Sequence, residues 1–397
     1  MKGSAKTADD TGGKPVLKLL AMVGIIVTPS TTAEPASTQP APTVTTPVKE
    51  LNPKLVAMPD NAWLNLKPKG TAFARMYSGC CFGGGLVWYF GGAHRGYKGN
   101  DVQLYDPRAN QWIQATEPEW PEVGSQDWKS MVSGGGTTRH LSPTGRPYTE
   151  HTYQQACWQP ERKKFFLILL SSGTWEFDPA ARKWTHLIDR FKDRSEPRGH
   201  WSHNHVVWEP TLKAPVLVVG AGQTGIYSFI HETRTWKRLG ERPAELGWNE
   251  FYSTYVPEWK CLLISTMRKG MFKFDLAANT LAPIESPQAL KGTQSLAYDS
   301  ANKVVIALAA KRLSKYRQTV VPWALDIKAM KWTELEPPEP WPVGQSTGRW
   351  AKLWYDPAHN VHLLVNDVRR DRRELYDGGI TETWAYRYRR TAKTASQ

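Results

Sequence analysis

Cysteine is scarce: there are four in 397 residues, Cys80, Cys81, Cys157 and Cys261. That is too few for a disulfide framework to hold a chain of this length. Cys80 and Cys81 adjoin in a stretch with strand character, so their side chains point to opposite faces. The four read as small buried hydrophobes, with a Cys157–Cys261 bridge left open. Long apolar runs are missing too. Leu19 to Val27 falls short of the ~20 residues a spanning helix needs, so no membrane span is expected in the mature chain. The run follows Lys14 and Lys18 and precedes TPSTTAEPA. Basic, then apolar, then small residues is the order of a secretory signal, with cleavage after Ala33 or Ala36. Residues 1–33 are therefore read as a signal peptide or membrane-proximal segment, and the expected location is secreted or periplasmic. Residues 34–57, Pro/Thr-rich, read as a disordered linker, and 391–397 as a disordered tail. Acidic residues are in the minority, 37 against 51 Lys and Arg, leaving a formal net charge of +14. Such an excess concerns partners and not fold; nucleic acid, anionic lipid and acidic polysaccharide are the candidate partners.

What the chain has in quantity is a repeat. LYDPRANQW (104–112), EFDPAARKW (176–184), SFIHETRTW (228–236), KFDLAANTL (273–281) and ALDIKAMKW (324–332) each place a turn residue six positions before a Trp, or before Leu281. The turn residues Asp106, Asp178, Ile230, Asp275 and Asp326, with Arg387 as a sixth, are spaced 72, 52, 45, 51 and 61 apart. A period near 50 built of short strands means a β-propeller. A second motif precedes each: an aromatic residue, a Pro- or Asp-containing turn, then an apolar strand, as in WQPERKKFFLILL (158–170) and YDPAHNVHLLV (355–365). Together the two motifs give four strands per blade. The last blade lacks its outer strand, whereas MPDNAWLNLK (58–67) is an outer strand without a blade. Pairing that segment with 381–388 closes the ring and leaves no open edge. The prediction is an all-β, six-bladed propeller over residues 58–390, with blades at 71–115, 146–188, 197–240, 246–285, 291–336, and 347–388 with 58–67.

These blades resemble the kelch and galactose-oxidase type of propeller, although the kelch double glycine survives only as Gly91-Gly92. GGAHRGYKGNDVQLYD (91–106) followed by GRPYTEHTY (145–153) is similar to a group of exported bacterial kelch-like proteins with no assigned activity. The resemblance implies fold and little chemistry. Copper oxidase chemistry of the galactose-oxidase kind is disfavoured, because that site uses a Tyr-His pair and no Tyr-His dipeptide occurs here. No cofactor is expected.

The spacing between a blade's two turns measures the loop joining its second and third strands. It is 18 to 20 in blades two to four, but 26, 30 and 23 in blades five, six and one. These long loops hold KRLSKYR (311–317), RRDRR (369–373) and HRGYKG (94–99). Residues entering the inner strands would line the channel mouth on the same face. Expected ligand-binding residues are Arg75, His94, Tyr97, Arg146, Arg198, His200, Trp201, Arg349 and Trp350, with His151, Tyr153 and His203 as candidate proton-transfer groups. Arg forks onto a carboxylate, Trp offers a flat face to a sugar ring, and His or Tyr can move a proton. The plain alternative is a channel plugged by hydrogen-bonded polar residues. His200, His203 and His205 do not make a metal site: on a strand only the last two share a face, and no acidic or Cys ligand completes the set.

Two functions follow. One is binding of an acidic polysaccharide, with lyase-like cleavage as an extension. The other is a non-catalytic scaffold that docks a protein or cell-envelope component. Nucleic acid is disfavoured, since no recognition motif accompanies the charge. A monomer is expected.

Overall fold

The computed structural model describes residues 50–390 apart from 76–77, 93–96, 126–127, 130–140, 170, 191–196, 198–203, 220–224, 247–250, 267–268, 292, 294, 315–316, 345–351 and 369–379. All of them lie in the unit Val44–Gln397. Its first strand, β1 (Ala62–Asn65), belongs to the last sheet. Blade one is β2 (Ser78–Gly83), β3 (Leu86–Gly91), β4 (Gln103–Asp106) and β5 (Gln111–Gln114). Blade two is β6 (Ala156–Gln159), β7 (Lys164–Leu169), β8 (Gly173–Asp178) and β9 (Lys183–Asp189). Blade three is β10 (Asn204–Glu209), β11 (Ala214–Val219), β12 (Gly225–Ile230) and β13 (Thr235–Gly240). Blade four is β14 (Phe251–Val256), β15 (Cys261–Thr266), β16 (Gly270–Asp275) and β17 (Thr280–Ile284). Blade five is β18 (Leu296–Asp299), β19 (Val304–Ser314), β20 (Arg317–Asp326) and β21 (Lys331–Glu334), with the short β22 (Val343–Gly344) added beside β20. Blade six is β23 (Lys352–Asp356), β24 (Val361–Val368) and β25 (Ile380–Arg387), completed by β1. The named strands all pair antiparallel, each blade joining consecutive strands, and the ring is closed by β1 on β25, where Trp63 faces Tyr386 and Asn65 faces Trp384. This is a six-bladed propeller, closed by its amino-terminal strand.

The register explains the repeat. Asp106 Oδ1 accepts from the backbone N–H of Arg108 and Ala109, and Asp178, Asp275 and Asp326 do the same two and three residues on. Each turn ends in a residue of left-handed backbone, Asn110, Arg182, Asn279 or Met330, with φ of 49 to 55°. The outer strand then starts at a fixed distance, and its Trp or Leu faces the residue before the turn. The pairs are Tyr105–Trp112, Phe177–Trp184, Phe229–Trp236, Phe274–Leu281 and Leu325–Trp332. Constant spacing in the sequence is thus constant register in the sheet.

The core consists of interfaces between neighbouring blades. Cys81, Trp88 and Leu104 of blade one pack with Ala156, Phe165 and Trp175 of blade two. Cys80 turns the other way, towards Val361 and Leu363 of blade six. All four cysteines are buried and free, so the Cys157–Cys261 bridge left open from the sequence is not formed.

The linker expected to run to residue 57 ends earlier. Asn52 donates its backbone N–H to His359 Nε2 (3.1 Å) and its side chain to Pro107 O (2.9 Å). A single helical turn, Pro53–Val56, follows, and the Arg387 guanidinium donates to Leu55 O and Val56 O. These contacts tie the segment to blades six and one, which local composition could not reveal.

Candidate functional site

In each blade the connection between second and third strands shares a face with the crossing to the next blade. The other face carries the short turns. On the loop-rich face Arg75 is fully buried, with Nη2 2.8 Å from Asp101 Oδ2. Its Nη1 donates to Gly91 O (3.1 Å) and Gly99 O (2.9 Å), and Nη2 to Asp101 O (3.2 Å). The Tyr97 ring lies 4.6 Å from the guanidinium carbon and stacks on Phe73 at 4.2 Å. The fork of Arg75 is therefore spent on the loop 91–101. Burial, followed by the charge of Asp101, pushes the Tyr97 hydroxyl up from its usual range, so it stays protonated.

Arg146 donates to Glu117 O (2.9 Å) and pairs with Glu119. Burial alone would raise the Glu119 carboxyl, but hydrogen bonds from Arg146, Ser142 and Thr144 bring it down to about 2. His151 and Tyr153 are both buried and meet edge to face at 5.7 Å. Tyr153 has φ of 43°, an uncommon backbone for a bulky residue.

Sequence reading passed over Glu150 and Asp101. The Glu150 carboxylate accepts from the Ser171 N–H (3.0 Å) and hydroxyl, and its carbonyl accepts from Gly92 N–H (3.1 Å). Glu150 thereby stitches the double glycine of blade one to the serine pair that replaces it in blade two. His94, Arg198, His200, Trp201, His203, Arg349 and Trp350 lie outside the described residues. The structure thus joins Arg75 to Tyr97 and His151 to Tyr153, while Arg146 is held by Glu119.

The long loop of blade five is an extended hairpin. β19 and β20 run to 11 and 10 residues, and Lys311, Arg312 and Arg317 near its tip are exposed. None of these three makes an ion pair among the described residues. Elsewhere Arg162 and Lys164 hold Glu176, Lys303 holds Glu258, Arg389 holds Asp60 and Arg390 holds Asp326.

Towards the opposite end, the inner strands line a cavity of about 380 Å³. Besides Trp354 of blade six, its wall carries a half-buried aromatic at the equivalent position of each inner strand: Phe82, Trp158, Trp208, Tyr255, Tyr298 and Tyr355. Each packs against the preceding blade; Trp158, for example, stacks on Trp88 at 4.9 Å. Of the polar residues in its lining, Gln154, His205 and Ser253 are joined to one another. Ser253 Oγ lies 2.6 Å from His205 Nε2, and Ser253 N–H donates to Gln154 Oε1 (3.2 Å). Burial pulls His205 down to about 3, so its ring is neutral. Among the described residues no three His, Cys, Asp or Glu side chains gather as metal ligands.

No protein-family model matches the chain, and no curated protein does. Among solved structures it is similar to a protein of unknown function from Bacteroides thetaiotaomicron VPI-5482, at 11% identity over 81% of this chain and 74% of that one, with a TM-score of 0.45. An oligogalacturonate lyase in complex with manganese is 10% identical over 82% of this chain and 93% of that one, at a TM-score of 0.38. The oligogalacturonate lyase of Vibrio parahaemolyticus is 9% identical over 81% and 92%, at 0.37. Likeness at this level says nothing about chemistry.

Proposed function

We propose that this is an exported, kelch-type propeller that binds an acidic polysaccharide on its loop-rich face. The supporting observation is a cluster of exposed positive charge. Lys311, Arg312 and Arg317 are exposed together on a projecting hairpin, and none of them makes an ion pair among the described residues. Unmatched cations on a projecting element in a chain of net charge +14 form a positive potential that draws in polyanions. Uronate carboxylates spaced along a polymer suit such an array, since each Arg can take one in a forked contact.

His151 and Tyr153 are buried against each other, which fits binding without cleavage. Polygalacturonate should bind, with an affinity that falls steeply as salt rises. Replacing Lys311, Arg312 and Arg317 together by Ser should weaken it at least tenfold. A neutral glucan that binds as well, or an affinity indifferent to salt, would refute the proposal. Appearance of unsaturated uronate, read by its ultraviolet absorbance, would restore the lyase reading.

A further inference from the structure

The turn-side cavity is walled by aromatic rings and capped by a few neutral polar groups, at the opposite end of the channel from the basic hairpin. We infer that it is a binding site for a small neutral hydroxyaromatic molecule of one or two rings. This inference does not rest on the polyanion reading.

Size, charge and polarity each narrow the occupant. A cavity of about 150 Å³ already accepts benzene, and this one offers about 380 Å³. Two fused rings therefore fit within it. No Asp, Glu, Lys or Arg side chain lines the cavity. An ion entering it would shed water and meet no counter-charge, which disfavours charged ligands. The polar groups of the lining are already engaged: Gln154, His205 and Ser253 with one another, Thr254 Oγ1 with the Tyr298 N–H, and the Tyr298 and Tyr355 hydroxyls with Glu258 and Asn360. A sugar would bring hydroxyls on every side, and each one left without a partner costs about 1–3 kcal/mol. A flat apolar ring with one hydroxyl matches the site: Trp158, Trp208 and Tyr298 cover its faces, and the Ser253–His205 pair takes the hydroxyl. Cavities of this size, mostly apolar with a few convergent polar groups, are the usual form of a small-molecule site.

The probe is 2-naphthol, added to the full-length chain and followed by saturation-transfer NMR and by titration calorimetry. The expected dissociation constant is below about 1 mM, unchanged between low and high salt, with glucose and 2-naphthoate binding at least tenfold more weakly. Trp208→Ala removes one wall and Ser253→Ala removes the hydroxyl partner; each should weaken 2-naphthol about tenfold, whereas Trp208→Phe should retain it. Should Trp208→Ala fail to fold, Ser253→Ala and the wild-type ligand series still decide. No binding at millimolar probe, equal affinity in wild type and Ser253→Ala, or tighter binding of glucose or 2-naphthoate would each overturn the inference.

Discussion

The indole of Trp63 lies 4.9 Å from the phenol ring of Tyr386, and the two residues face each other across β1 and β25. One comes from near the amino end and the other from near the carboxyl end. Both are buried, with Val304, Leu353 and Trp384 in the same cluster. Trp63→Ala should therefore lower the unfolding free energy by about 3–5 kcal/mol, as for other large-to-small core changes. Removal of residues 1–67 should go further and abolish cooperative unfolding, because β25 would be left as an open edge. Urea denaturation followed by circular dichroism tests both. A loss under about 1 kcal/mol for Trp63→Ala would mean that β1 decorates the ring without closing it.

Arg75 and Asp101 form an ion pair in which neither side chain has any exposure. Removing one partner leaves a buried charge unmatched, which costs about 3–5 kcal/mol. Asp101→Asn and Arg75→Met should each destabilise by that order. Arg75→Met with Asp101→Leu should recover part of the loss, since an apolar pair needs no counter-charge. The Arg75 contacts to Gly91 O and Gly99 O would still be missing, so recovery should be incomplete. Melting temperatures of the three variants give the answer; strict additivity would show that the two charges act separately.

Acid should destabilise the protein in two stages. His362 is fully buried, and burial holds it down to about 4 against an ordinary 6.5. The unfolded chain takes up that proton first, so this contribution is complete above about pH 6.5 and disappears as pH falls through about 4. Glu176 gives the second stage. Burial would raise its carboxyl, but hydrogen bonds from Arg162, Lys164 and Gln159 overcome this and bring it down to about 2 from 4.5. Its share, about 3 kcal/mol, is present above about pH 4.5 and is lost as pH falls through about 2. Urea midpoints measured from neutral pH to about pH 3 should show both slopes. His362→Phe should flatten the upper one and Glu176→Gln the lower one.

Sequence and structure agree wherever local geometry sets the pattern. Asp106 and Trp112 are six apart because an Asx-type turn and one left-handed residue fix the register, so the repeat could be counted before any coordinates. Closure was legible as an outer strand without a blade. Partners distant in sequence were not legible: Asp101 beneath Arg75, Glu150 on Ser171, and Asn52 on His359 each depend on how separate loops meet. The aromatic before each inner turn was visible as a repeat. That these six rings line one cavity follows only when the blades are set in a circle. In blade one the aromatic Phe82 is followed by Gly83, Gly84 and Gly85, the first two set against Trp158 of blade two.

Those glycines have a steric cause that can be tested. A Cβ added at Gly83 would come 2.0 Å from Trp158 Cγ and 2.3 Å from its Cβ, and these atoms cannot swing away without moving the backbone of β6. Gly83→Ala should thus force blades one and two apart, at a cost of about 1–3 kcal/mol for overpacking. It should also displace one wall of the cavity. Gly85 is the internal control: its φ of 79° strains any side chain, yet a Cβ there meets nothing within 4 Å. Gly85→Ala should then cost only the left-handed backbone, about 1–2 kcal/mol, and leave Trp158 in place. Combining Gly83→Ala with Trp158→Ala separates the two causes. If the clash is responsible, the glycine change should cost little once the indole is gone; if the cost persists in the double variant, the backbone at Gly83 and not the packing of Trp158 selects glycine there.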